Sequence, residues 1–102
     1  MKTFAQRAAE EARLVMLQEL SRQPTGELPI SMFRDALEVA GHNYTTDWIR
    51  TELAGLQELR LVRLIELREG QPPHIAGITD RGEDVVARRI IVEGVKRPDR
   101  GA

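Results

Sequence analysis

Apolar residues recur at helical spacing over roughly residues 3–22. Phe4, Ala8, Ala12 and Val15 lead to Glu19 or Leu20, and Leu14 and Leu17 widen the stripe. Thr3 suits the cap. Alanines at 5, 8, 9 and 12 favour helix and allow another helix to approach closely. Pro24 and Gly26 close the element. Residues 27–30 read as a short extended piece, and Pro29 confines it to an edge. Ser31 is positioned to cap a second helix carrying Phe33, Ala36, Leu37 and Ala40 on one face, with Gly41 ending it. His42 and Asn43 make the turn.

A third helix starts at Thr45 or Thr46 and extends to about residue 59. Ile49, Leu53, Leu56 and Leu59 point inward. Thr46, Asp47, Arg50, Thr51, Ala54 and Gln57 point outward, and Trp48 sits at the edge between them. With Thr45 as cap, Tyr44 and Ile49 occupy the positions of a hydrophobic staple. From residue 61 the period becomes two. Leu61, Arg63, Ile65 and Leu67 alternate with Val62, Leu64 and Glu66, which predicts a strand. Gly70, Pro72 and Pro73 supply turn chemistry, and Ala76 and Ile78 share the inner face of a returning strand. Thr79 then caps a last helix. Asp80, Glu83 and Asp84 suit its N-terminal dipole, Val85, Val86, Ile90 and Ile91 form its apolar side, and Gly94 stops it.

The expected fold is therefore mainly α with a small β-hairpin, an α+β chain. Its order is helix, short strand, helix, helix, strand, strand, helix, which is the order of a winged helix-turn-helix. One domain spans residues 1–94, and residues 95–102 form a short basic flexible tail. A winged helix presents one helix and one hairpin on a common face, a shape suited to a DNA major groove and its flanking backbone.

The run Ile49, Leu53, Leu56, Leu61-Val62 resembles the recognition helix and first wing strand of winged helix-turn-helix regulators of MarR/ArsR type. Those proteins show a valine or isoleucine, leucines four and seven positions on, and then a Leu-Val that opens the wing. ITDRGED at 78–84 is similar to the Leu-Thr-x-x-Gly step by which many of them leave the wing. The whole chain, including VEGVKRP at 92–98, also resembles small phage-encoded winged-helix proteins of Mu-like prophages. The resemblance implies DNA binding and transcription regulation, by a homodimer formed through the first and last helices. It departs from the family where Arg60 stands in place of the glycine usual before the Leu-Val. Metal-sensing relatives need cysteines or paired histidine and acidic ligands. This chain has no cysteine, and His42 and His74 lie in different turns.

Composition restrains the DNA reading. Fifteen basic residues face sixteen acidic ones, a net charge of −1. Residues 31–60 hold Arg34, Arg50 and Arg60 against Asp35, Glu38, Asp47, Glu52 and Glu58. The expected reading helix is thus not the basic part, although phosphate neutralisation is what drives DNA affinity. No apolar run reaches the roughly 20 residues that span a bilayer, and a cytoplasmic protein is expected.

The candidate DNA contacts are Thr45, Thr46 and Thr51, toward phosphates or bases, and Arg50, which suits bidentate contact with guanine or simple solvation. Arg63 on the strand can reach a phosphate, and Arg68 and Gln71 sit at the wing tip. Asp47 either accepts from cytosine or stabilises the helix start. Lys96, Arg97 and Arg100 serve DNA, an acidic partner or plain solubility. No catalytic set, metal site or cofactor site stands out, so the expected partners are double-stranded DNA and a second copy. The alternative is a phage protein-interaction or assembly module on the same frame, without a DNA-reading role.

Overall fold

The computed structural model describes residues 1–100. Its elements are α1 (Phe4–Arg22), β1 (Glu27–Pro29), a 3₁₀ turn (Ile30–Met32), α2 (Phe33–Val39), α3 (Thr46–Glu58), β2 (Val62–Ile65), β3 (Ile75–Ile78) and α4 (Asp80–Val86). The chain is α+β, with four helices and one three-stranded antiparallel sheet in the order β1-β3-β2. Val62 faces Ile78 and Leu64 faces Ala76 across the hairpin, while Leu28 faces Ala76 from the other side. Pro29 ends β1 at the sheet edge, where its missing N–H costs no ladder bond.

α1 runs through the middle of the fold. Ala12, Leu14, Met16, Leu17 and Leu20 are buried against Phe33 and Leu37 of α2, Ile49, Leu53 and Leu56 of α3, and Ala76, Ile78 and Val85. Each large apolar side chain so buried stabilises the fold by about 1.5–3 kcal/mol. Thr3 and Gln6 form a reciprocal capping box at the start of α1. The expected stripe is corrected at its first member. Phe4 lies beyond the body and is 87% exposed, because no other element extends far enough to cover it.

Three helix ends share one device. After α2, Gly41 adopts φ +90°, with its own N–H bonded to the Glu38 carbonyl and the His42 N–H to the Leu37 carbonyl. After α3, Arg60 takes the same left-handed position at φ +64°, with Arg60 N–H on Gln57 and Leu61 N–H on Leu56. After α4, Arg88 does so at φ +63°, with its N–H on Val85 and the Arg89 N–H on Asp84. The last helix therefore ends at Val86, not at Gly94, and Ile90 and Ile91 lie beyond it. Two further expectations are corrected. Ser31 lies within the 3₁₀ turn, and α2 starts after Met32 without a side-chain cap. Leu59 follows the last turn of α3 and is 38% exposed, since the reversal at Arg60 swings it off the inward stripe.

The segment after α4 returns along α1. Val92, Val95 and Pro98 are buried, and the Lys96 N–H donates to the Glu10 carbonyl at 3.1 Å. Arg13 of α1 donates to the Gly94 carbonyl at 2.8 Å and pairs with Glu52 of α3 at 2.7 Å. The expected tail from residue 95 is thus seated against α1 as far as Pro98, where the Arg88 guanidinium donates to the Pro98 carbonyl. Residues 101–102 of that expected tail lie outside the described residues.

Candidate nucleic-acid interface

The candidate surface is built on α3 and the β2–β3 hairpin. Thr45 is the N-cap: its Oγ1 accepts the Trp48 N–H at 3.1 Å, which fixes where the helix begins. Tyr44, expected to staple onto Ile49, stacks instead on Trp48, with ring centroids 3.6 Å apart and planes at 8°. Trp48 remains half-buried and Ile49 is free to enter the core. Beyond the cap, Thr46, Asp47, Thr51, Ala54, Gly55, Gln57 and Glu58 are exposed. The Thr51 hydroxyl donates back to the Asp47 carbonyl at 3.0 Å. Thr45, Thr46 and Thr51 therefore share the exposed first turns of α3.

Arg50 is half-buried, and its Nη1 donates to the Pro73 carbonyl of the hairpin at 2.8 Å. About two turns on, Gln57 Oε1 accepts the Leu64 N–H of β2 at 2.8 Å. The two bonds fasten the hairpin to α3 at both ends of a groove of about 340 Å³ lined by Ile30, Arg50, Leu53, Ala54, Leu64 and Pro72. The Gln57 bond also covers an outward amide of an edge strand, which would otherwise invite strand addition.

Arg63 does not join this group. Its Nη1 donates to the Ile78 carbonyl at 2.8 Å and its Nη2 meets Glu27 Oε2 at 3.2 Å. The guanidinium lies across Gly77 of β3, so that a Cβ on Gly77 would meet it at 3.0–3.2 Å. Arg68 and Gln71 stand exposed in the loop between β2 and β3, where the Gln71 N–H donates to the Arg68 carbonyl at 3.2 Å and Gly70 takes φ +80°. The loop also exposes Glu66, Glu69 and Leu67. Of the tail residues, Lys96 pairs with Glu11 at 3.6 Å, while Arg97 and Arg100 are exposed.

Two arginines missed as site candidates lie at the far end of α3. Arg60 and Arg81 line one concavity with Glu58 and Leu59. Arg81 Nε donates to the Leu59 carbonyl at 3.0 Å. Thr79, the α4 cap, accepts the Gly82 N–H and donates to the Arg60 carbonyl at 2.7 Å, and its own N–H reaches the Leu61 carbonyl. The α3–β2 join is thereby held by the start of α4. The one sequence signal for it was a non-glycine at the position where a glycine was expected. On the exposed face of α3 itself, the exposed charges are Asp47 and Glu58, and the exposed cation Arg60 lies just beyond its C-terminal end.

The chain is 37% identical over 89 residues to the "uncharacterized protein gp26" of Escherichia phage Mu, covering 87% of this chain and 88% of that one. It is 32% identical over 79 residues to an "uncharacterized protein" of Haemophilus influenzae, covering 78% and 74% respectively. No protein-family model and no solved structure matches it.

Proposed function

The chain belongs to the family of the phage Mu protein gp26, and from that premise we propose that it is a winged helix-turn-helix protein that binds double-stranded DNA as a transcription regulator. In this reading α3 enters the major groove, the β2–β3 loop lies on the backbone, and two copies act together in the cytoplasm without catalysing a reaction. No described helix is long and apolar enough to cross a membrane. The observation that carries the proposal is the pairing of a capped helix, whose exposed side carries Thr46, Asp47, Thr51, Gln57 and Glu58 around the small Ala54 and Gly55, with a hairpin fastened beside it by Arg50 and Gln57. Thr46 serves as a base or phosphate donor on the first turn, Thr51, whose proton is held by the Asp47 carbonyl, as an acceptor toward a base amino group, and Arg68 and Gln71 as backbone contacts at the loop. Arg60 and Arg81 extend the cationic rim at the other end of α3.

The test is selection from a random-sequence duplex pool across a salt series. A DNA reader enriches a motif and its affinity falls as salt rises. Folded protein that enriches no motif at low salt refutes the reading.

A second reading, a phage protein-interaction or assembly module, is favoured by one observation. Arg50 and Arg63 both hold internal carbonyl partners, and the exposed charges of α3 are acidic. On that reading the duplex selection fails, and substituting Asp47 and Glu58 abolishes binding to a basic protein partner.

A further inference from the structure

We infer that two copies of this chain pair through α1 and α2: the start of α1 in one copy fills an apolar groove beside α2 in the other, and the reverse. This deepens the dimer part of the proposal above and holds whether or not the dimer reads DNA.

Among the described residues, four of the seven large exposed apolar side chains, Met1, Phe4, Met32 and Val39, lie at the start of α1 or beside α2. Phe4 is 87% exposed on the first turn of α1, a stretch in which residues 1–7 are all exposed. Met32 and Val39 are exposed 50% and 92% beside a groove of about 340 Å³, lined also by Leu28 and Ala36. An exposed apolar groove rimmed by polar residues marks an interaction surface. The projecting turn is preorganised, because the Thr3–Gln6 capping box orders it before any contact forms. Docking it therefore costs little conformational entropy.

Charge matches the same way. Phe4 is flanked by Lys2 and Arg7, and the groove is rimmed by Glu19 and Asp35. Among the described residues Glu19 is paired with Arg22, and Lys2 with Glu10, whereas Arg7 and Asp35 each lack an ion-pair partner. These two are the pair that the contact would join. Geometry allows closure. Phe4 and Glu19 lie on one helix, about 22 Å apart at 1.5 Å per residue. Two α1 helices packed antiparallel bring each Phe4 to the other copy's groove, with Ala8 opposite the half-buried Val15. The contact is self-complementary and closes as a two-fold dimer.

The experiment is mass in solution by sedimentation over a concentration series, with circular dichroism to verify folding. Wild type is expected to dimerise. Phe4→Glu and Val39→Asp, both at exposed positions, are expected to give folded monomers. Arg7→Asp and Asp35→Arg each weaken the dimer by roughly tenfold, and the double swap recovers it. Wild type that stays monomeric, a dimer that persists in either apolar variant, or a double swap without recovery overturns the inference. A dimer lost in these variants alongside failed duplex selection refutes DNA binding and leaves this surface standing.

Discussion

The guanidinium of Arg50 on α3 donates to the carbonyl oxygen of Pro73 across the hairpin loop, at 2.8 Å and half-buried. A hydrogen bond from a charged donor is worth about 1.5–3 kcal/mol when it is shielded from water. Arg50→Ala is expected to destabilise the fold by about 1–2 kcal/mol in urea denaturation. It should also speed hydrogen exchange over residues 66–74 while leaving α1 protected. Unchanged exchange in that loop would show that Arg50 does not hold the hairpin.

Arg60 and Gly82 are opposite cases at one join. Arg60 occupies the left-handed region at φ +64°, where glycine carries no steric cost. Arg60→Gly is expected to raise stability by about 0.5–1 kcal/mol, the relief of the left-handed penalty less glycine's larger unfolded-state entropy. If Arg60 also meets DNA, the same variant binds duplex more weakly while melting at a higher temperature. A lowered melting temperature contradicts the backbone argument.

A Cβ added at Gly82 would lie 2.3 Å from the Leu61 carbonyl oxygen and 2.7 Å from Ile78 Cγ1. The first of these is backbone and cannot rotate away. Gly82→Ala should therefore cost about 2–3 kcal/mol, through overpacking between α4 and the start of β2. Thermal melting reads this directly, and a loss below about 0.5 kcal/mol would show that α4 is free to shift.

Arg68 is exposed in the hairpin loop and has no ion-pair partner among the described residues. Arg68→Ala should leave stability within about 0.5 kcal/mol of wild type. If the loop lies on a phosphate backbone, affinity for duplex falls about equally for all sequences, and the salt dependence drops by about one unit. Identical salt slopes for the two proteins would remove Arg68 from the interface.

Substituting Leu53, which is fully buried on the inward side of α3, by alanine is expected to cost about 2–5 kcal/mol. The exposed Thr51→Ala should cost little by comparison. Measuring both by denaturation separates the packing side of α3 from its outward side. Equal losses would mean that the helix is rotated from the orientation described.

The element order was legible in the sequence because its signals are local. Thr45 and Thr79 cap where their spacing to the following amides allows it, and Gly41 reverses α2. Ile49, Leu53 and Leu56 face inward because 3.6-residue periodicity puts them on one side. Pro29 was confined to an edge by its missing N–H. The site was less legible. An arginine read as outward from its helix position can still bend back to any carbonyl within reach, and nothing near it in sequence names that carbonyl.

By itself, then, the sequence determined the helices, the hairpin and the polar side of α3, since each depends on residues within a turn or two. Tertiary structure alone decided that Arg50 meets Pro73, that Arg63 meets Ile78 and Glu27, and that residues 92–98 lie along α1. It also decided that α4 ends at Val86, with the reversal at Arg88, and not at Gly94. These outcomes turn on acceptors and apolar surfaces far away in the chain, which become neighbours only once the core has closed.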